Sequence, residues 1–87
     1  MTFKTCLICG LKPVERHHIF FGRAFRNKSE KYHMTVCLCA MHHRDNELGV
    51  HGKNKKLDIK LKRIAQKLFI KKYGNEEFLK IFKKNYL

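Results

Sequence analysis

The segment CLCAMHHR, residues 37–44, places two cysteines and two adjacent histidines side by side, and a second adjacent pair, His17-His18, lies upstream. Thiolates and imidazoles are the side chains that hold zinc and related ions, and imidazole also moves protons near neutral pH. Cys6-Leu7-Ile8-Cys9 is a C-x2-C pair followed by Gly10. Two thiolates at that spacing reach one ion across a tight turn, and the glycine accommodates the backbone there. Cys39-Ala40-Met41-His42 is C-x2-H, which at the start of a helix turns both side chains toward one point. Together the four make a closed Cys3His set, the arrangement of structural zinc. Cys37 lies two residues before Cys39; it is an alternative ligand with poorer spacing to His42, and otherwise a small buried residue.

With Cys39 and His42 assigned to an anchor, His17, His18, His43 and His51 remain. Adjacent residues of a strand point to opposite faces, so His17 and His18 do not bind one ion in the same way. One of them can hold a metal while the other activates water, provided the strand ends or bends there. His43 directly follows an anchor ligand, which fixes its direction: one ion holds the scaffold and a second does chemistry. His33 reads as a surface or strand residue.

These groups need elements to position them. The 87 residues suffice for one domain, and a chain this short usually needs a metal or disulfides to stay folded. The start, MTFKTCLICG, has no basic segment followed by an apolar run, and no stretch approaches the roughly 20 apolar residues of a membrane span. The expected setting is the cytoplasm, where thiols stay reduced and clustered cysteines bind metal. Residues 1–53 hold every Cys and His; residues 54–87 hold none and carry helical periodicity with many lysines. The expectation is one domain over 1–87, with a knuckle-containing core (1–53) and a basic helical tail (54–87) packed on it.

Residues 2–10 read as a short strand or turn, VERHHIFF as a strand, residues 22–33 as a basic loop with a helical turn, and MTVCL as a second strand. A short helix should run from the CAMHHRDNEL segment to Gly49. Asn54 is a plausible N-cap for a helix whose apolar face is Leu57, Leu61, Ile64, Leu68 and Phe69, ending at Gly74. Asn75 should cap a second helix with Glu76 and Glu77 in its first turn and a stripe of Phe78, Ile81, Phe82 and Tyr86.

Twenty Lys plus Arg against seven Asp plus Glu give a formal charge of +13, which points to a polyanionic partner. Arg16, Arg23, Arg26, Lys28 and Lys31 flank the histidine pair and are natural phosphate contacts; Lys53, Lys55 and Lys56 extend the track. No helix carries base-reading residues at groove spacing, so weak sequence preference and strong salt dependence are expected.

The stretches VERHHIFFGRAFR, TVCLCAMHHR and GVHG resemble the HNH endonucleases, the ββα-metal or His-Me finger superfamily, and more narrowly the small HNH-type proteins of bacteriophages. The likeness runs the length of the chain, and the core motifs are its specific part. It implies an α+β fold: a small zinc-stabilised ββα-metal finger followed by two C-terminal helices. It implies His18 as general base, and His17, His43 and, further downstream, His51 as ligands of a catalytic divalent ion (Mg2+, Mn2+, Ni2+ or Zn2+). Structural Zn2+ would sit on Cys6, Cys9, Cys39 and His42. The implied activity is a metal-dependent endonuclease or nickase acting on double- or single-stranded DNA, as a monomer or weak homodimer, in the cytoplasm of a host cell if phage-encoded.

Two departures stand out. His42 replaces a frequent fourth cysteine, and the middle Asn of the motif is absent, His33 and Met34 standing in its place, with Asn27 and Asn46 poorly placed as substitutes. The alternative is therefore a non-catalytic zinc-stabilised nucleic-acid-binding module. A third reading is a small phage interaction protein that docks through basic helices.

Overall fold

The computed structural model describes residues 5–87. Of the strand or turn expected over residues 2–10, residues 2–4 lie outside the described residues, and residues 7–9 form a turn. Strand β1 (Glu15–His18) pairs antiparallel with β2 (Thr35–Leu38), in the register Glu15 to Leu38, Arg16 to Cys37, His17 to Val36 and His18 to Thr35. Helix α1 (Arg26–Lys31) lies between the strands in sequence, and α2 (Ala40–Arg44) follows β2 directly. Two longer helices, α3 (Lys55–Tyr73) and α4 (Asn75–Phe82), complete the chain. The result is a small α+β fold: a β-hairpin with helices, then two C-terminal helices. Among the described residues no helix is long and apolar enough to cross a membrane.

β1 is short because the chain turns away after His18 and is fastened by one side chain. The Ser29 hydroxyl donates to the Phe20 carbonyl (2.7 Å) and accepts from the Phe20 N–H (3.0 Å), and Ser29 is fully buried. Met34 N–H donates to the Ser29 carbonyl (2.7 Å), so the same residue closes α1 onto the start of β2. A serine that satisfies three backbone groups replaces ladder bonds the hairpin would otherwise lose.

The core is aromatic. Phe82 stacks on Phe20 (ring centroids 4.4 Å apart) and on Phe78 (4.9 Å), and Phe69 meets Phe78 at 5.5 Å and Tyr32 at 5.2 Å. Rings from the loop after β1, from the end of α1 and from both tail helices thus share one cluster. The tail helices meet the hairpin half through it. Gln66, fully buried, fastens the C-terminus. Its amide donates to Asn85 Oδ1 (2.8 Å) and Asn75 Oδ1 (3.2 Å), and its oxygen accepts from Tyr86 N–H (2.8 Å).

Several local expectations are corrected. The helix after Cys39 ends at Arg44 rather than near Gly49, because the Asp45 carboxylate accepts from the N–H groups of Glu47 and Leu48 (both 3.0 Å) and winds the chain into a turn. Asn54 caps α3 through Leu57 N–H as expected, but Asn75 caps nothing: its side chain is taken by Gln66, and Gly74, at φ +91°, joins the two helices. The buried face of α3 is Leu57, Asp58, Leu61, Ala65, Gln66 and Phe69, whereas Ile64 and Leu68 are exposed at 45 % and 59 %. Tyr86 lies beyond the end of α4, where Lys83 takes a left-handed conformation, yet its ring still reaches Phe20 (5.7 Å).

Because Phe82 bridges both halves, Phe82→Ala should destabilise the metal-loaded protein by about 3 to 5 kcal/mol. Urea unfolding followed by circular dichroism measures this; a loss under about 1 kcal/mol would mean the tail does not hold the hairpin.

Candidate metal centres and the adjoining cleft

The first centre is built by a turn and a helix start. Gly10 adopts φ +75°, its N–H donates to the Cys6 carbonyl (2.8 Å), and Leu7 N–H donates to the Cys37 carbonyl (2.9 Å), which binds the turn to β2. Cys39 sits at the N-terminus of α2, so His42 lies one turn on and on the same side. The ligand atoms of Cys6, Cys9, Cys39 and His42 all lie within 4.8 Å of one another. Cys9 Sγ is 3.7 Å from Cys39 Sγ, and His42 Nδ1 is 3.3 Å from Cys39 Sγ and 3.6 Å from Cys6 Sγ. These are close to the edges, about 3.5 to 3.8 Å, of a tetrahedron with zinc–sulfur bonds of ~2.3 Å, and far too long for a disulfide. Burial would raise the Cys6 thiol, but the backbone N–H groups of Cys39, Cys9 and Ile8 aimed at its sulfur bring it down to about 6. A thiolate is the form a metal requires, so the donor set fits structural Zn2+. Cys37 stays outside: it is half-buried on β2 opposite Arg16, and contributes its carbonyl rather than its sulfur.

The second centre joins three elements. His17 comes from β1, His43 from α2 and His51 from the loop before α3; their ligand atoms also lie within 4.8 Å of one another. The rings meet pairwise at 5.1 Å (His17–His43), 5.0 Å (His17–His51) and 4.8 Å (His43–His51). His51 arrives because the loop folds back over α2: Val50 N–H donates to the His42 carbonyl (2.9 Å) and His51 N–H to the His43 carbonyl (3.1 Å). Gly49 and Gly52 permit that approach. A Cβ on Gly52 would stand 2.2 Å from the Asp45 carbonyl oxygen, and one on Gly49 2.6 Å from the Asp45 nitrogen.

His17 is 1 % exposed, and both of its ring nitrogens are buried without a hydrogen-bond partner. Burial, with His51 and His43 beside it, lowers its pKa to about 3, so the ring is neutral and its lone pair free. Leaving such a group unsatisfied costs about 1 to 3 kcal/mol, which a cation at this point would offset. His43 is oriented by Glu15: its Nδ1 lies 2.8 Å from Glu15 Oε1, and a carboxylate only accepts, so Nδ1 carries the hydrogen and Nε2 the lone pair. Arg44 grips the same carboxylate through Nε (2.8 and 2.9 Å) and Nη2 (2.7 Å). Arg44 first, then His43, holds the Glu15 carboxyl down at about 2. A buried neutral His17, a His43 aimed by Glu15 and a His51 beside them form a donor set that fits a divalent ion with open positions.

A cleft of about 570 Å³ opens beside this triad. His18, His43 and His51 line it together with Arg16, Arg23, Arg26 and Asn27. His18 faces the cleft while its neighbour His17 is buried, the opposite-face placement expected of strand residues. His18 Nε2 lies 2.5 Å from Glu30 Oε2, and Glu30 Oε1 pairs with Arg16 at 3.0 Å. The tautomer this selects carries hydrogen on Nε2 and leaves Nδ1 as the acceptor.

Of the expected phosphate contacts, the structure brings Arg16, Arg23 and Arg26 to the cleft. Lys28, Lys31 and Lys53 do not line it. Lys28 donates to the Ile81 carbonyl (3.1 Å), tying α1 to α4; Lys31 lies over the Tyr32 ring; Lys53 pairs with Glu47 at 3.2 Å. Asn27, dismissed on spacing, does line the cleft, because α1 carries it back to the histidines. Glu15 and Glu30 were missed by sequence reasoning; each precedes or follows its histidine at no local spacing, and only the folded hairpin brings them together. No family model matches the chain, and neither a curated protein nor a solved structure shows significant similarity to it.

Two predictions follow from the geometry. Metal analysis should find two ions per chain in wild type and in Cys37→Ala, one in His43→Ala, and loss of the tetrahedral cobalt spectrum in Cys9→Ala; loss of that spectrum in Cys37→Ala would overturn the ligand set. Nitrogen-15 NMR should find His18 as the Nε2–H tautomer, turning to a mixture in Glu30→Ala. An unchanged tautomer would mean Glu30 does not orient the ring.

Proposed function

We propose that the chain is a metal-dependent DNA endonuclease or nickase of the HNH type, hydrolysing phosphodiester bonds with little sequence preference. The observation that carries this reading is the meeting of His17, whose buried nitrogens have no partner, with His43 and His51 beside a cleft that His18 faces. A zinc-stabilised binding module has use for the Cys3His anchor, but none for a second set of converging imidazoles next to a fifth.

The residues divide the work as follows. His18 Nδ1 takes a proton from a water molecule as its oxygen attacks phosphorus and the bond to the leaving oxygen breaks. Glu30 holds the His18 ring in place and stabilises the imidazolium that results. Arg16, Arg23 and Arg26 bind phosphate oxygens and fix the strand in the cleft without reading bases. A divalent ion on His17, His43 and His51 supplies, when bound, positive charge to the phosphate and to the leaving oxygen. Glu15 and Arg44 keep His43 aimed at that point. Asn27 lines the same cleft, and its amide is a candidate to hold the substrate or the base where the middle motif Asn is missing. A single histidine-lined cleft among the described residues favours cutting one strand at a time.

Plasmid nicking with Mn2+, Mg2+, Ni2+ or Zn2+ tests the proposal. Wild type should convert supercoiled plasmid to the open circle, and His18→Ala should slow this by about 10² or more while DNA binding persists. If wild type binds DNA but nicks with none of the ions, the chain is a binding module. If His18→Ala nicks as fast as wild type, the base is another group.

A further inference from the structure

We propose that the outward face of α3 is a second nucleic-acid contact, a rail for phosphate backbone separate from the cleft. The inference rests on the reading of DNA as the partner. Lys56, Lys60, Arg63, Lys67 and Lys71 follow one another at steps of four, three, four and four, and all are exposed. At 100° per residue they fall within an arc of roughly 80°, and they extend over ~22 Å of helix axis. A duplex presents about 13 phosphate charges over that length.

The face holds no carboxylate. Asp58 is the one acid of α3; it points inward, 6 % exposed and paired with Lys62 at 3.0 Å. Arg63 Nε is fixed by the Tyr86 carbonyl (2.9 Å), whereas Lys56, Lys60, Lys67 and Lys71 have no ion-pair partner among the described residues. A groove of about 740 Å³ runs along the row, lined by Lys56, Lys60, Arg63 and Lys67 with Ile59 and Ile64. It shares no residue with the cleft beside the histidines.

The order of side chains around the helix selects the partner. A helix that lies in a membrane surface centres its apolar residues and flanks them with lysines. Here the cations are central, Ile64 and Leu68 stand at the edge, and the main apolar face is buried against α4 and the hairpin. A second copy of the same face would be repelled. An extended polyanion matches a straight, acid-free row of lysines, and lysine supplies charge without bidentate base recognition.

Binding of the metal-loaded protein to a labelled duplex oligonucleotide over a salt series tests this. Lys60→Glu with Lys67→Glu should weaken binding on the order of ten-fold or more and flatten the salt slope by about two. Lys80→Glu with Lys84→Glu changes net charge equally from α4 and the C-terminal segment, and should weaken it far less. Circular dichroism confirms folding, and Lys60→Gln with Lys67→Gln serves if the reversal unfolds the chain. Equal losses in the two pairs would show an effect of overall charge and overturn the rail. Binding to phosphatidylserine vesicles or poly-glutamate that is tighter than to duplex, and lost in the Lys60/Lys67 pair, would reassign the face. If wild type binds no duplex, the DNA reading falls and the rail with it; if wild type binds and the Lys60/Lys67 pair binds equally, only the rail falls.

Discussion

The convergence of three thiols and one imidazole, Cys6, Cys9, Cys39 and His42, is the constraint on which the rest of the site depends. The aromatic cluster around Phe20, Phe69, Phe78 and Phe82 lies among the loop after β1, α1 and the tail helices. At the knuckle the buried core is reached only by Cys6 and Cys39, while Leu7, Ile8 and Leu11 are all exposed. Residues 5–11 therefore have little apolar burial to hold them, and backbone bonds such as Leu7 N–H to the Cys37 carbonyl are few. Surface backbone bonds alone contribute about 1 kcal/mol each. A cation held by these ligands would supply a cross-link of a different order, joining residues 6 and 9 to residues 39 and 42 across a long segment of chain. The segment enclosed is the one that carries His17 and His18.

Orientation passes from this anchor to the second centre through covalent neighbours and two backbone bonds. His42 and His43 are adjacent on α2, so their side chains leave the helix about 100° apart. Fixing one fixes the other: His42 turns to the sulfurs, His43 to His17. The carbonyls of the same two residues then accept from Val50 and His51, which draws the third imidazole over the helix. Glycines at 49 and 52 are the cost of that closeness, since backbone occupies the space of their side chains. Three elements that are remote in sequence thus present nitrogens to one point without a large hydrophobic core beneath them. Phe21 covers the group on one side, its ring 4.6 Å from His51 and 5.8 Å from His17.

Much of this was legible in the residues, and what was not has physical reasons. Ligand spacing is a local property: C-x2-C and C-x2-H act over one turn, so the anchor can be read without knowing the fold. The opposite placement of His17 and His18 follows from strand geometry. The start of α3 follows from Asn54 and the break between α3 and α4 from Gly74, whereas the end of α4 at Phe82 does not follow from a stripe that continues to Tyr86. The face of α3 was misjudged at Ile64 and Leu68 because hydropathy counts Asp58 and Gln66 as polar, whereas Lys62 neutralises the one and three hydrogen bonds satisfy the other. Once both are inside, the buried arc rotates and the two aliphatic residues turn outward. Glu15, Glu30 and Asn27 were illegible for a simpler reason. Their relevance depends on which side of a two-stranded hairpin α1 and α2 occupy, and no local pattern encodes that.

The fate of the seven acidic residues explains how so basic a chain presents its charge. Glu15 is held by Arg44 and His43, and Glu30 by Arg16 and His18. Asp45 accepts backbone N–H groups, Glu47 pairs with Lys53, and Asp58 with Lys62. Glu76 and Glu77 stand in the first turn of α4, where the helix dipole favours them. Nearly every carboxylate is thus engaged in orienting a histidine, closing a turn or starting a helix. Apart from Glu47 beside Lys53 and the two glutamates of α4, few are left for the outer surface, where Lys and Arg predominate. The two acids beside the cleft are also those whose charge is most fully answered by arginine. A polyanion approaching that cleft would meet a field set chiefly by Arg23 and Arg26, while the carboxylates that aim the imidazoles stay electrostatically quiet behind Arg16 and Arg44.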